Sequence, residues 1–203
     1  MANNYVKVKI CGICDLKAAK AAVDAGADAL GFVFAPSRRR ISPDDAREII
    51  KKLPPFVSRV GVFVDPTLEE VIDTAGYAGL DTIQLHGDEP PEFCRRIPYQ
   101  VIKSFAVSGK PDPGLMGRYR VDAYLLDTQV PGSRGGTGRT FDWRLASGLR
   151  VGPLIVAGGL TPENVQEAVK AFRPYAVDVS SGVESGGRKD IKKITDFIRR
   201  VKG

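Results

Sequence analysis

Short apolar, β-branched runs recur eight times along these 203 residues, and stretches of helical periodicity separate them. The runs read as strands at 6–10, 29–34, 59–64, 82–85, 101–105, 123–126, 154–157 and 176–179. Between them Asp15 can cap a helix over 16–25 that Gly26 stops, Ser42 with Pro43 opens a second, and Thr67 opens 68–78 before Gly79. Thr161 with Pro162 opens a helix to about Phe172, the last helix covers 191–201, and 90–96 and 143–149 are shorter helical stretches. Segment 112–120 is the weakest unit, because Gly114, Gly117 and Pro113 all disfavour a helix interior. Eight units in 203 residues come to about 25 residues each, close to the lower length limit of a (β/α)8 barrel. The expected architecture is α/β, a single-domain TIM barrel of minimal length over 1–203, since no linker or composition shift divides the chain. The rival is a doubly wound open sheet with fewer strands and a G-x-G-x-x-G turn after the first. Here that turn reads Cys11-Gly12-Ile13-Cys14, and glycines cluster instead after the sixth, seventh and eighth strands.

Composition narrows the function classes. Three cysteines, an odd number, argue against a secreted disulfide framework and for a reducing compartment, with the cytoplasm as the expectation. The first residues lack the basic-then-apolar layout of a signal peptide, and the run at 29–35 is far too short to span a bilayer, so no membrane partner is expected. One histidine and a single C-x-x-C argue against a metal site. The net charge of +6 points to an anionic partner. The densest basic run, Arg38-Arg39-Arg40, is too short for a nucleic-acid stripe, whereas a phosphorylated small molecule fits the charge.

In a barrel of this kind function sits just beyond the C-terminal ends of the strands. That rule selects Cys11, the segment 37–40, Gln84 and His86, Asp127, Gly158 and Gly159, and Ser180, Ser181 and Gly182. Gly-Gly and Ser-Ser-Gly can turn backbone N–H groups toward an anion, and loops 7 and 8 are where phosphate sites of this fold recur. A plain turn is the competing reading for either cluster alone. Cys11 and Asp127 stand at opposite sides of the mouth, and each can carry a proton if its environment shifts its pKa. Alone, the cysteine reads equally as a core residue and the aspartate as a cap.

Longer motifs surround these positions. They are Lys9-Ile10-Cys11-Gly12-Ile13, Gly31-Phe32-Val33-Phe34, Ser37-x-Arg39-x-Ile41-Ser42-Pro43, Gln84-Leu85-His86-Gly87, Leu125-Leu126-Asp127, the run from Gly135 to Trp143, Gly158-Gly159-Leu160, and the run from Asp178 to Glu184. Together, and in this order, they resemble the phosphoribosylanthranilate isomerase family. The resemblance implies an Amadori rearrangement in tryptophan biosynthesis, without a cofactor, on a small substrate bearing phosphate and carboxylate. It implies Asp127 as general acid, Cys11 as general base and Arg39 as partner of the anthranilate carboxylate. Arg40 stands where the family commonly has an aromatic residue, so the arginine run leaves that last assignment open, and Arg38 reads as a solvated charge. Gly136 and Gly138 fall in a loop that either closes over substrate or is a surface turn. Two other classes compete: a different enzyme of phosphorylated sugars on the same fold, and a module that binds a phosphorylated ligand without turnover. A redox pairing of Cys11 with Cys14 is a further rival, and Cys94 reads as a packing residue.

Strand parity adds one expectation. If Cys11 points into the barrel, so does Lys9, and a buried ammonium needs a partner. Asp178, inward-facing if Ser180 is, belongs to the adjacent eighth strand. A Lys9–Asp178 ion pair under the site is expected, with the ammonium favouring the Cys11 thiolate. Gln84 and His86 share one parity on the fourth strand and read as orienting or packing groups.

Overall fold

The computed structural model describes residues 5–107, 109–128 and 148–203. Eight parallel strands close into a barrel in chain order: β1 (Lys7–Cys11), β2 (Ala29–Val33), β3 (Ser58–Phe63), β4 (Thr82–Leu85), β5 (Gln100–Val107), β6 (Ala123–Thr128), β7 (Leu154–Val156) and β8 (Ala176–Val179). Closure runs through β1 and β8, where Lys9 stands opposite Asp178. Strand alternation sorts the side chains into two sets. Val60, Ile102, Leu125 and Ile155 fill the barrel interior, while Val8, Ile10, Leu30, Leu126 and Val177 face the helices in the larger core. Both faces of each strand are covered, which is why the strands read as apolar runs.

Seven helices are present among the described residues: α1 (Leu16–Asp24), α2 (Pro43–Ile50), α3 (Leu68–Ala78), α4 (Pro91–Cys94), α5 (Pro113–Met116), α6 (Val165–Phe172) and α7 (Ile191–Lys202). Local chemistry sets their ends. Thr67 and Glu70 close a reciprocal capping box on α3, and Gly79 ends it with φ of 80°. Asp15 and Ser42 cap α1 and α2 through their side chains. α6 starts later than the Thr161-Pro162 signal predicts. The Asn164 side chain accepts from the Thr161 amide and donates to Gly159 O, so it holds the preceding residues as a turn against the loop after β7. The helical stretch expected at 143–149 lies almost wholly outside the described residues.

After β8 the chain makes a short 3-10 turn (Ser181–Val183) and then a two-stranded hairpin, β9 (Glu184–Ser185) with β10 (Arg188–Lys189). The hairpin has no counterpart in the expected strand–helix alternation. It places Glu184 and Lys189 beside the mouth. Among the described residues no helix is long and apolar enough to cross a membrane.

Candidate active site

A cavity of ≈ 390 Å³ opens at the C-terminal ends of the strands, lined by Cys11, Arg39, Gln84, His86, Asp127, Gly158, Gly159, Asp178, Ser180 and Ser181 among others. Arg38, Arg40 and Gly182 are the described sequence candidates that do not line it, and of these Gly182 sits where two loops meet. Its role is steric: a Cβ there would stand 1.8 Å from Leu160 O, so only glycine lets the loops after β7 and β8 touch. Gly136 and Gly138 lie outside the described residues.

Cys11 is the last residue of β1 and shares the inward parity of Lys9. Gly31, its partner on β2, clears the space: a Cβ at Gly31 would lie 2.9 Å from Cys11 Sγ and 3.2 Å from Lys9 Nζ. Lys9 Nζ donates to Asp178 Oδ1 at 3.0 Å, with the two side chains only 4% and 9% exposed. The ion pair expected from parity is therefore present. Burial alone would lower the Lys9 pKa, but Asp178 and Cys11 together outweigh it and hold the ammonium above its ordinary value. For Cys11 the balance falls the other way. Burial pushes the thiol up, Lys9 and Lys189 oppose it, and Asp178 adds to the rise, so the net direction is upward. The ammonium favours the thiolate, as expected, but burial outweighs it.

Asp127 lies inside β6, which runs two residues beyond the expected end because β5 pairs with it as far as Val107 and Thr128. Gly158, with φ of 81°, makes room for it, since a Cβ would come within 2.7 Å of Asp127 Oδ1. His86 Nε2 is 3.3 Å from Asp127 Oδ2, and Gln84 Nε2 is 3.1 Å from His86 Nδ1. With the amide donating to Nδ1, a neutral imidazole carries its proton on Nε2 and presents it to Asp127. The loop bearing His86 is pinned from behind by a buried pair. Lys103 Nζ binds Glu89 Oε2 at 3.0 Å and Gly87 O at 2.7 Å, while Glu89 accepts from the Asp65 and Gly87 amides.

The arginine run divides three ways. Arg39 turns into the cavity, with Nε 2.6 Å from Glu184 Oε1 and Nη2 3.1 Å from Oε2. Arg40 lines a separate cavity between α2 and α3. Arg38 is not merely a solvated charge, because its Nη2 donates to Glu184 Oε2 at 2.8 Å. Lys189 Nζ completes the cluster, 2.9 Å from both Glu184 Oε1 and Ser180 O. Burial pushes the Glu184 carboxyl up, but Arg39 and Lys189 together hold it below the usual range. Burial also holds Lys189 below the ordinary lysine value, despite Glu184.

A profile of the N-(5'-phosphoribosyl)anthranilate isomerase family matches residues 8–200. The chain belongs to this family. An N-(5'-phosphoribosyl)anthranilate isomerase of Desulforudis audaxviator is 57% identical over 195 residues, covering 95% of this chain and 96% of that one. The crystal structure of phosphoribosyl anthranilate isomerase from Thermotoga maritima superposes with a TM-score of 0.91 at 50% identity, over 97% of this chain and 98% of that one. A further family structure, solved in complex with reduced 1-(o-carboxyphenylamino)-1-deoxyribulose 5-phosphate, matches with a TM-score of 0.86 at 48% identity, covering 97% and 98%.

Within the family fold, sequence reasoning passed over Glu184, Lys189 and Gly31. Glu184 and Gly31 both stand inside the family's motifs, but the role of each depends on side chains brought to it from other strands. Nothing local marks Lys189, which reaches the mouth only through the β9–β10 hairpin. The cysteines are all free, and Cys14 Sγ is 3.3 Å from Arg39 O, so no Cys11–Cys14 bridge forms. Cys94 is buried in α4.

Proposed function

We infer that the mouth of this barrel works by acid and base catalysis, with Asp127 as the acid and Cys11 as the base. The chain is an isomerase of tryptophan biosynthesis that converts N-(5-phosphoribosyl)anthranilate to 1-(2-carboxyphenylamino)-1-deoxyribulose 5-phosphate. Opening the furanose requires a proton on the ring oxygen. As the C1–O bond breaks, the anilino nitrogen lone pair forms a C1=N iminium. Loss of the C2 proton then gives an enolamine, and proton transfer from the C2 hydroxyl to C1 yields the aminoketone. The observation that carries the residue assignment is the joint presence of Cys11 and Asp127 in one cavity, with Arg39 and the glycines after β7 on its walls.

Protonation follows from the environments. The reactive form, thiolate with carboxylic acid, holds one proton between the two groups, as does thiol with carboxylate. Burial disfavours the thiolate at rest, while the iminium brings a positive charge to the site at the step that needs the base. The His86 Nε2–H supports the Asp127 carboxylate left after proton donation. Gly158 and Gly159, both at positive φ, and the Ser180–Ser181 backbone fit a phosphate, and Arg39 fits the anthranilate carboxylate. We place the protein in the cytoplasm as one domain over 1–203. Its free cysteines and the family match across 8–200 support this.

The test is the loss of anthranilate fluorescence when purified protein meets freshly made phosphoribosylanthranilate. Cys11→Ala and Asp127→Asn should each cut kcat by at least ~100-fold, with ligand binding within a few fold. Near-normal turnover in either variant overturns that residue's role.

A further inference from the structure

We propose that Glu184 is a positioning residue that fixes which edge of Arg39 meets the substrate carboxylate; the proposal rests on the assignment of Arg39 to that group. A guanidinium can grip a carboxylate through its Nε/Nη2 side or through its Nη1/Nη2 end. Glu184 occupies the side, with contacts of 2.6 Å to Nε and 3.1 Å to Nη2. Among the described residues Nη1 has no hydrogen-bond partner, so the end of the fork is what the cavity receives.

The clamp is itself held firmly. The Glu184 side chain is only 5% exposed and accepts from Arg38, Arg39 and Lys189, while its backbone carbonyl accepts from Lys193 on α7 at 2.8 Å. Beneath Arg39 lies Gly12, at φ of 79°, where a Cβ would stand 2.6 Å from Arg39 Cδ. Floor and clamp together deprive the guanidinium of rotamer freedom before substrate arrives. Charge favours the same reading. One carboxylate faces three cations, Arg38, Arg39 and Lys189, so the cluster holds Arg39 without neutralising it. Substrate carboxylate adds a second anion to a site with positive charge to spare, and the loops after β2 and β8 are stapled across the mouth in advance.

The experiment compares two probes by calorimetry: reduced 1-(2-carboxyphenylamino)-1-deoxyribulose 5-phosphate and its phenylamino counterpart without the carboxylate. Wild type should bind the carboxylated probe more tightly, and Arg39→Ala should abolish that preference. Glu184→Gln should cut it about tenfold while leaving the phenylamino probe within about twofold, as expected for a lost orientation of a charged hydrogen bond. Glu184→Asp, which keeps the charge with a shorter reach, should fall between. Normal preference in both Glu184 variants, with Arg39→Ala defective, overturns the positioning role alone. Equal weakening of both probes by Glu184→Gln also overturns it, since a general loss of loop structure would do that. Normal preference in Arg39→Ala overturns the underlying assignment and the proposal with it.

Discussion

Replacing Lys9 by methionine removes the one ammonium buried directly beneath Cys11, and the size of the response can be worked from distances. A Cβ on Gly31 would stand 2.9 Å from Cys11 Sγ and 3.2 Å from Lys9 Nζ, so these atoms are at most about 6.1 Å apart. At an effective dielectric of about 20 a unit charge at that range is worth ~2.7 kcal/mol, or about two pH units on a thiol. The cation favours thiolate, so its loss raises the Cys11 pKa. Iodoacetamide alkylation of Cys11 against pH, followed by peptide mass spectrometry in a Cys14→Ser background, reads this directly. Cys94 does not interfere, because cleavage at Lys and Arg places it on a different peptide from Cys11. The midpoint should rise by about two pH units in Lys9→Met. It should fall in Asp178→Asn, because the Asp178 charge acts on Cys11 with the opposite sign. Lys9→Met also strands a buried carboxylate, a loss of about 3–5 kcal/mol when one partner of such a pair is removed. The Lys9→Met/Asp178→Asn double variant should recover melting temperature while its midpoint stays above wild type, since Lys9 outweighs Asp178 at Cys11. A Cys11 midpoint unchanged within half a pH unit in Lys9→Met would refute the electrostatic coupling.

Two further outcomes follow from the geometry. Gly158→Ala, at a φ of 81°, drives a methyl into Thr128 N and Oγ1 and to 2.7 Å from Asp127 Oδ1 at the end of β6, so kcat should drop at least ~10-fold; wild-type turnover would mean that the Asp127 end of β6 needs no such clearance. Burial pushes the Asp81 carboxyl up, but hydrogen bonds from Ser58, Arg59 and Thr82 win and hold it below its ordinary value. A depressed carboxyl stabilises the fold above its unfolded pKa of about 3.9 and loses that contribution as pH falls through the folded value. Asp81→Asn should therefore cost about 1–2 kcal/mol in urea melts at pH 7 and progressively less as pH falls below about 4; the same gap at pH 7 and pH 3 would contradict this.

Much of the barrel was legible because its signals are short in range. Strands buried on both faces announce themselves as apolar runs, and Thr67 with Gly79 or Ser42 with Pro43 mark helix ends within a few residues. Parity along β1 and β8 was enough to bring Lys9 to Asp178 across 169 positions, because a closed barrel makes first and last strands neighbours. The start of α6 was missed because the Asn164 side chain competes with the helix for the backbone of the preceding turn.

The sequence by itself determined the eight strands, the family, and which residues stand at the strand ends. Tertiary structure decided that Arg39, and not Arg40, enters the cavity with Cys11, and that Arg39 arrives with one edge already held by Glu184 from 145 positions away. It also decided that burial outweighs Lys9 at the Cys11 thiol. The physical reason is range along the chain. Backbone periodicity and capping are set by neighbours within one turn or two pleats, whereas a pKa or the free edge of a guanidinium depends on every charge and wall within several ångströms, whatever part of the chain supplies it.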